Sequence, residues 1–66
     1  MRGHEGARGK QRDLLAETHA DLAVTLHRLG DTDAAIAHLR TAVELRPDLD
    51  VAHRNLPRLL LSRGEL

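Results

Sequence analysis

The 66 residues make at most one small domain, and a chain of this size buries only about 60% of the surface it exposes when unfolded. Ten basic and ten acidic side chains cancel, and the absence of cysteine excludes disulfides, thiolate zinc sites and thiol catalysis. There is no Phe, Tyr or Trp. The apolar set of 13 Leu, nine Ala, three Val, one Ile and one Met suits closely packed helices rather than a β-sandwich, which draws on β-branched and aromatic residues.

Charge is unevenly placed. Residues 1–12, MRGHEGARGKQR, carry four basic groups against one acid, and the rest of the chain carries six against nine. This first segment is rich in glycine and has almost no apolar side chains to repay ordering by burial, so it is expected to be a disordered basic arm. The helical domain is then expected to occupy 13–66. The segment DLLAETHADLAV that follows the arm is broken by Asp13, Glu17, His19 and Asp21, so it cannot serve as the apolar run of a signal peptide. No stretch approaches the ~18 apolar residues of a membrane helix. The expectation is a cytoplasmic protein with no membrane partner.

From Asp13 to Leu29 the spacing predicts a first helix whose apolar face is Leu15, Leu22, Leu26 and Leu29, ended by Gly30. Asp31 or Thr32 is placed to cap a second helix, with Asp33 at the positive end of its dipole. That helix carries Ala35, Ile36, Leu39, Ala42, Val43 and Leu45 on one face, and Pro47 forbids its extension. Asp48 or Asp50 can cap a third helix with Ala52, Leu56, Leu59 and Leu60 on its apolar face, ending before Gly64. Pro57 interrupts this pattern. Either it kinks the helix near 53–57, which is the preferred reading, or regular helix begins late with Asn55 as cap.

Shifting the sequence by 34 residues lays His19 on His53, Leu22 on Leu56, Leu26 on Leu60 and Gly30 on Gly64. A 34-residue period of helix, turn and helix resembles the tetratricopeptide repeat. The positions His19, Leu22, Ala23, Leu26, Ala35, Leu39, Ala42 and Pro47 follow the spacing of that family's signature, and GDTDAAIAHLRTAVELRPD is similar to the second half of its consensus. His19, Leu26 and Leu39 replace the large aromatic residues, and Pro57 stands where a small residue is usual. The resemblance implies an all-α fold: an antiparallel helix hairpin plus a third helix, in right-handed superhelical stacking. One repeat would span 16–49 and a partial second 50–66. Ala23, Ala35 and Ala42 would let the paired helices cross closely, with Leu22, Leu26 and Leu39 filling the holes between them.

The resemblance also implies a binding module without catalysis or cofactors, whose groove holds a protein or peptide. Carried across residue by residue, that groove would present Glu17, Ala20, Asp21, Val24, His27 and Arg28 from the first unit, and Val51, Arg54, Asn55, Arg58, Leu61 and Ser62 from the second. Arg54, Asn55 and Arg58 are the candidate polar contacts, because guanidinium groups suit carboxylates. The competing expectation is that Arg54 and Arg58 are neutralised by Glu17 and Asp21 across adjacent parallel helices. One and a half units is also fewer than the roughly three that close a repeat core. Leu59, Leu60, Leu61 and Leu66 are therefore expected to leave an apolar edge, open to a second copy, another protein or a continuation of the chain. Leu59 and Leu60 are the candidate packing contacts, against the chain itself or a neighbouring subunit.

Other chemistry fits less well. The five histidines, at 4, 19, 27, 38 and 53, include no i, i+4 pair of the metalloprotease kind. No threonine or serine sits in a nucleophile elbow, and GHEGARGK is not a phosphate loop, since no strand precedes it. A small helical nucleic-acid-binding protein using the basic arm is the alternative of a different class. The acidic body and the lack of aromatic residues for base stacking argue against it.

Overall fold

The computed structural model describes the backbone of residues 2–64 and the side chains of residues 10–64. Three helices follow in order: α1 (Arg2–Arg28), α2 (Thr32–Leu45) and α3 (Asp50–Arg63). No strand occurs among the described residues. The fold is all-α, with α1 and α2 packed closely as an antiparallel pair and α3 laid mainly on α2. The molecule measures 47 × 21 × 14 Å. At 1.5 Å per residue the 27-residue α1 alone spans about 40 Å, so it sets the long axis.

The α1–α2 turn is written in two residues. Gly30 adopts φ 93°, a left-handed conformation that costs a side chain-bearing residue roughly 1 kcal/mol or more. Gly30 N–H donates to His27 O (3.0 Å) and Asp31 N–H to Leu26 O (2.8 Å), the two bonds of a Schellman ending. Asp31 then turns from closing α1 to opening α2: its side chain accepts from Ala34 N–H at 3.2 Å. Of the two N-cap candidates, Asp31 is the cap and Thr32 the first helical residue.

The third helix begins differently from either sequence option. Its N-cap is Leu49, which makes no side-chain cap bond; Asp50 lies in the first turn, and Asp48 pairs with Arg46. Leu49 is buried, so packing rather than capping fixes this start. The helix then runs unbroken through Pro57 to Arg63. Asn55 therefore does not cap; its Nδ2 donates to Val51 O at 2.7 Å within α3. Gly64 ends α3 at φ 81°, with its N–H on Leu61 O (2.9 Å).

Ala16, Ala20 and Ala23 on α1, Ala35, Ile36, Leu39 and Ala42 on α2, and Leu49, Ala52 and Leu59 around α3 form the core. No polar side chain is buried among the described residues. Three alanines on α1 meet two on α2, which lets the backbones approach and gives the hairpin its tight seam. This is the part of the packing the sequence predicts best.

Two sequence expectations are corrected here. The leucines expected to line the inner face of α1 do not: Leu15, Leu22 and Leu29 are 51%, 40% and 76% exposed, and only Leu26 packs against the core. The close approach is the cause, because a seam built on Ala16, Ala20 and Ala23 leaves the leucines a quarter-turn or more away from it. In addition, where residues 1–12 are expected as a disordered arm, α1 continues back to Arg2. Once Asp13–Arg28 is helical, upstream extension adds a hydrogen bond per residue without a new nucleus. Lys10, Gln11 and Arg12 are good helix formers, and all three are exposed.

Candidate partner-binding surface

The outer face of α3 carries the candidate polar contacts. Arg54 is exposed, but Asp50 one turn earlier takes its Nη2 at 3.1 Å. Arg58 is exposed and has no ion-pair partner among the described residues. Asn55 is half-buried, with its amide nitrogen on Val51 O. The anion-binding capacity of this face therefore rests on Arg58 first and on Arg54 in competition with Asp50. Such exposed i, i+4 pairs are worth only a few tenths of a kcal/mol, so an incoming carboxylate can displace Asp50.

Glu17 and Asp21 do not neutralise this pair. Glu17 meets Arg46 instead, at 3.3 Å, and Asp21 has no ion-pair partner among the described residues. Arg46 stands at the end of α2 with its Nε 3.9 Å from Asp13 and 3.4 Å from Asp48. One guanidinium thus ties α1 to the α2–α3 connection. Its carboxylate partners are half-exposed or more, so the network contributes little energy and mainly sets geometry. Across the other end, Arg63 Nε lies 3.2 Å from Asp33, joining the last turn of α3 to the first of α2. The sequence gives no local signal for these contacts, since the partners lie far apart along the chain.

Leu59 and Leu60 do not form an open apolar edge. Leu59 is 4% exposed and belongs to the core, and Leu60 is half-buried against it. They hold α3 on the hairpin. Of the expected edge only Leu61 opens, and Leu66 lies outside the described residues. Among the groove positions on α1, Ala20 is buried in the hairpin seam, whereas Glu17, Asp21, His27 and Arg28 are exposed.

The histidines divide in an unexpected way. His19 and His38 stack across α1 and α2, with ring centroids 5.1 Å apart and planes at 26°. Their Nδ1 atoms are 2.9 Å apart, so one ring donates while the other accepts, and the two tautomers must differ. His53, the counterpart of His19 at a separation of 34, is exposed and hydrogen-bonds the Pro47 carbonyl through Nε2. No group of three His, Asp or Glu residues that could hold a metal gathers among the described residues. No helix among them is long and apolar enough to cross a membrane.

No family model, curated protein or solved structure matches this chain.

Proposed function

We propose that this chain is a non-catalytic, cytoplasmic protein–protein interaction module of the tetratricopeptide-like kind, with α3 as the first helix of a second unit in right-handed superhelical stacking. Its partner is a peptide or helix bearing a carboxylate, received on the outer face of α3 by Arg58 and Arg54, with Asn55 beside them. The observation that carries this reading is the recurrence of one helix ending at a separation of 34. Gly30 and Gly64 are both left-handed, and each donates its N–H to the carbonyl three residues before it. The same 34-residue shift carries Ala16, Ala20 and Ala23 of the hairpin seam onto Asp50, Arg54 and Pro57 on the solvent side of α3, where a ligand can reach.

The test is fluorescence anisotropy with labelled peptides ending in a free acidic C-terminus, compared with the same peptides amidated. Binding is expected to weaken on amidation, on Arg58→Ala and, to a smaller degree, on Arg54→Ala. Affinity that ignores both arginines, or no affinity for any acidic peptide, would refute the assignment.

A further inference from the structure

The geometry points to a second site on the opposite flank of the hairpin: the outer seam of α1 pairs with the same seam of a second copy of this chain, antiparallel about a two-fold axis. Leu15, Thr18, Leu22, Thr25 and Leu29 recur at alternating steps of three and four, the spacing of a helix–helix seam. All five are exposed. Thr18 Oγ1 donates to Leu14 O at 2.8 Å and Thr25 Oγ1 to Asp21 O at 3.3 Å. Both hydroxyls are thus turned back onto their own helix and leave methyl groups to the seam. The result is an apolar stripe about 21 Å long on a rigid helix.

The same face is covered elsewhere in the molecule. At a separation of 34, Leu15, Thr18, Leu22 and Thr25 correspond to Leu49, Ala52, Leu56 and Leu59. Those are the residues by which α3 is seated: Leu49, Ala52 and Leu59 are buried and Leu56 packs against the core. A face that this fold covers on α3 is therefore bare on α1. In a second copy, the surface of α2 that receives such a face already holds that copy's own α3. Among the described residues the one run of large exposed apolar side chains there is on its own α1, with Leu61 of α3 standing alone, so the two seams meet each other.

Charge fixes the direction. Asp21 and Arg28, seven residues apart, flank the seam on the side away from α2. Both are exposed, and neither has an ion-pair partner among the described residues. A parallel two-fold would put the flank carrying Asp21 and Arg28 on opposite sides of the seam in the two copies, against the flank of His19 and Leu26, so neither charge would meet an opposite one. The antiparallel pairing sets Asp21 beside Arg28 of the other copy, twice, by symmetry. It also places Leu22 opposite Thr25 and Leu29 opposite Thr18, large against small. This surface is separate from the outer face of α3, so it stands or falls independently of the peptide-binding assignment.

Sedimentation equilibrium of the full chain decides it. A short seam lies at the small end of stable interfaces, so the range of concentration to cover is roughly 10 μM to 1 mM. The mass is expected to rise from 7.3 kDa toward twice that value. Leu15→Lys should keep it at the monomer. Asp21→Arg and Arg28→Asp should each raise the dimer dissociation constant about tenfold, and the double exchange D21R/R28D should return it to near the parent value. All three positions are exposed, and circular dichroism checks that each variant keeps its helicity. A monomer at every concentration would overturn the inference. So would a dimer indifferent to Leu15→Lys, or a double exchange as weak as the single ones.

Discussion

Replacing Leu39 by alanine truncates one of the two largest fully buried side chains, the other being Ile36, both on the central helix α2. Truncations of this kind cost about 2–5 kcal/mol, and the spread depends on how far the surroundings collapse into the space left. Here they can collapse little. Most of the core is alanine: Ala16, Ala20, Ala23, Ala35, Ala42 and Ala52 have no further atoms to swing inward. The cost should therefore sit in the upper half of the range, about 3–5 kcal/mol. A domain of this length has a total stability of only about 3–10 kcal/mol, so Leu39→Ala should lose a large part of it. Each kcal/mol moves the midpoint by about 4–8 °C in so small a domain, and the expected fall in Tm is at least about 12 °C. Thermal melts followed by circular dichroism measure this. Dilute protein keeps self-association out of the reading. The matched control is Leu61→Ala on α3, at a position 62% exposed, which should stay within about 0.5 kcal/mol of the parent. A loss under about 1 kcal/mol for Leu39→Ala, or equal losses for the two variants, would mean that the alanine-lined seam is not the core.

Three further outcomes follow from the backbone. Gly30→Ala keeps open space around the new methyl group, since nothing lies within 4 Å, yet must hold φ near 93°. It should cost about 1 kcal/mol, read by chemical denaturation. Asp31→Ala removes the acceptor for Ala34 N–H and should cost about 0.5–2 kcal/mol, whereas Asp31→Asn or Asp31→Ser should recover most of it. Pro57→Ala restores the N–H that an unbroken α3 lacks toward His53 O at an exposed position. It should raise the melting temperature, by an amount equivalent to about 1–3 kcal/mol; a lower one would show that the proline supports the packing of α3.

The turn chemistry was the most legible part of the sequence. Gly30, Asp31 and Pro47 act through local backbone geometry, so their effect can be read within a few residues, and the helix ends fall close to where those residues set them. The alanine seam was legible for the same reason: Ala23, Ala35 and Ala42 recur at fixed steps, and all three are buried. The inner face of α1 was not. Hydrophobicity ranks leucine above alanine, so the periodicity of Leu15, Leu22 and Leu29 outweighed that of Ala16, Ala20 and Ala23. Packing distance reverses the ranking, because two helices brought together over alanine have no room for leucine between them. Residue type offers Asp48 or Asp50 as an N-cap, but the buried Leu49 fixes the start of α3, a tertiary effect invisible to local rules. The Arg46 carboxylates and the His19–His38 stack were out of reach for a similar cause: each joins residues that only the fold brings together.

That reversal also accounts for where the apolar surface ends up. A chain with 13 leucines and no aromatic residue has enough apolar material to cover both flanks of a hairpin, but only one third helix among its described residues to do it with. On the α3 side the coverage is complete enough that Leu49 and Leu59 are buried. On the α1 side the counterpart positions carry the same seam and meet solvent. Lone exposed leucines need no explanation, but three at heptad spacing on one rigid helix do, since a contiguous apolar stripe favours association over solvation. The threonines between them do not interrupt the stripe: Thr18 and Thr25 donate their hydroxyls to the preceding turn, as helical threonines commonly do and as Thr41 does on α2. The side chains of α1 thus form two long flanks, one packed within the chain and the other an apolar stripe exposed to solvent.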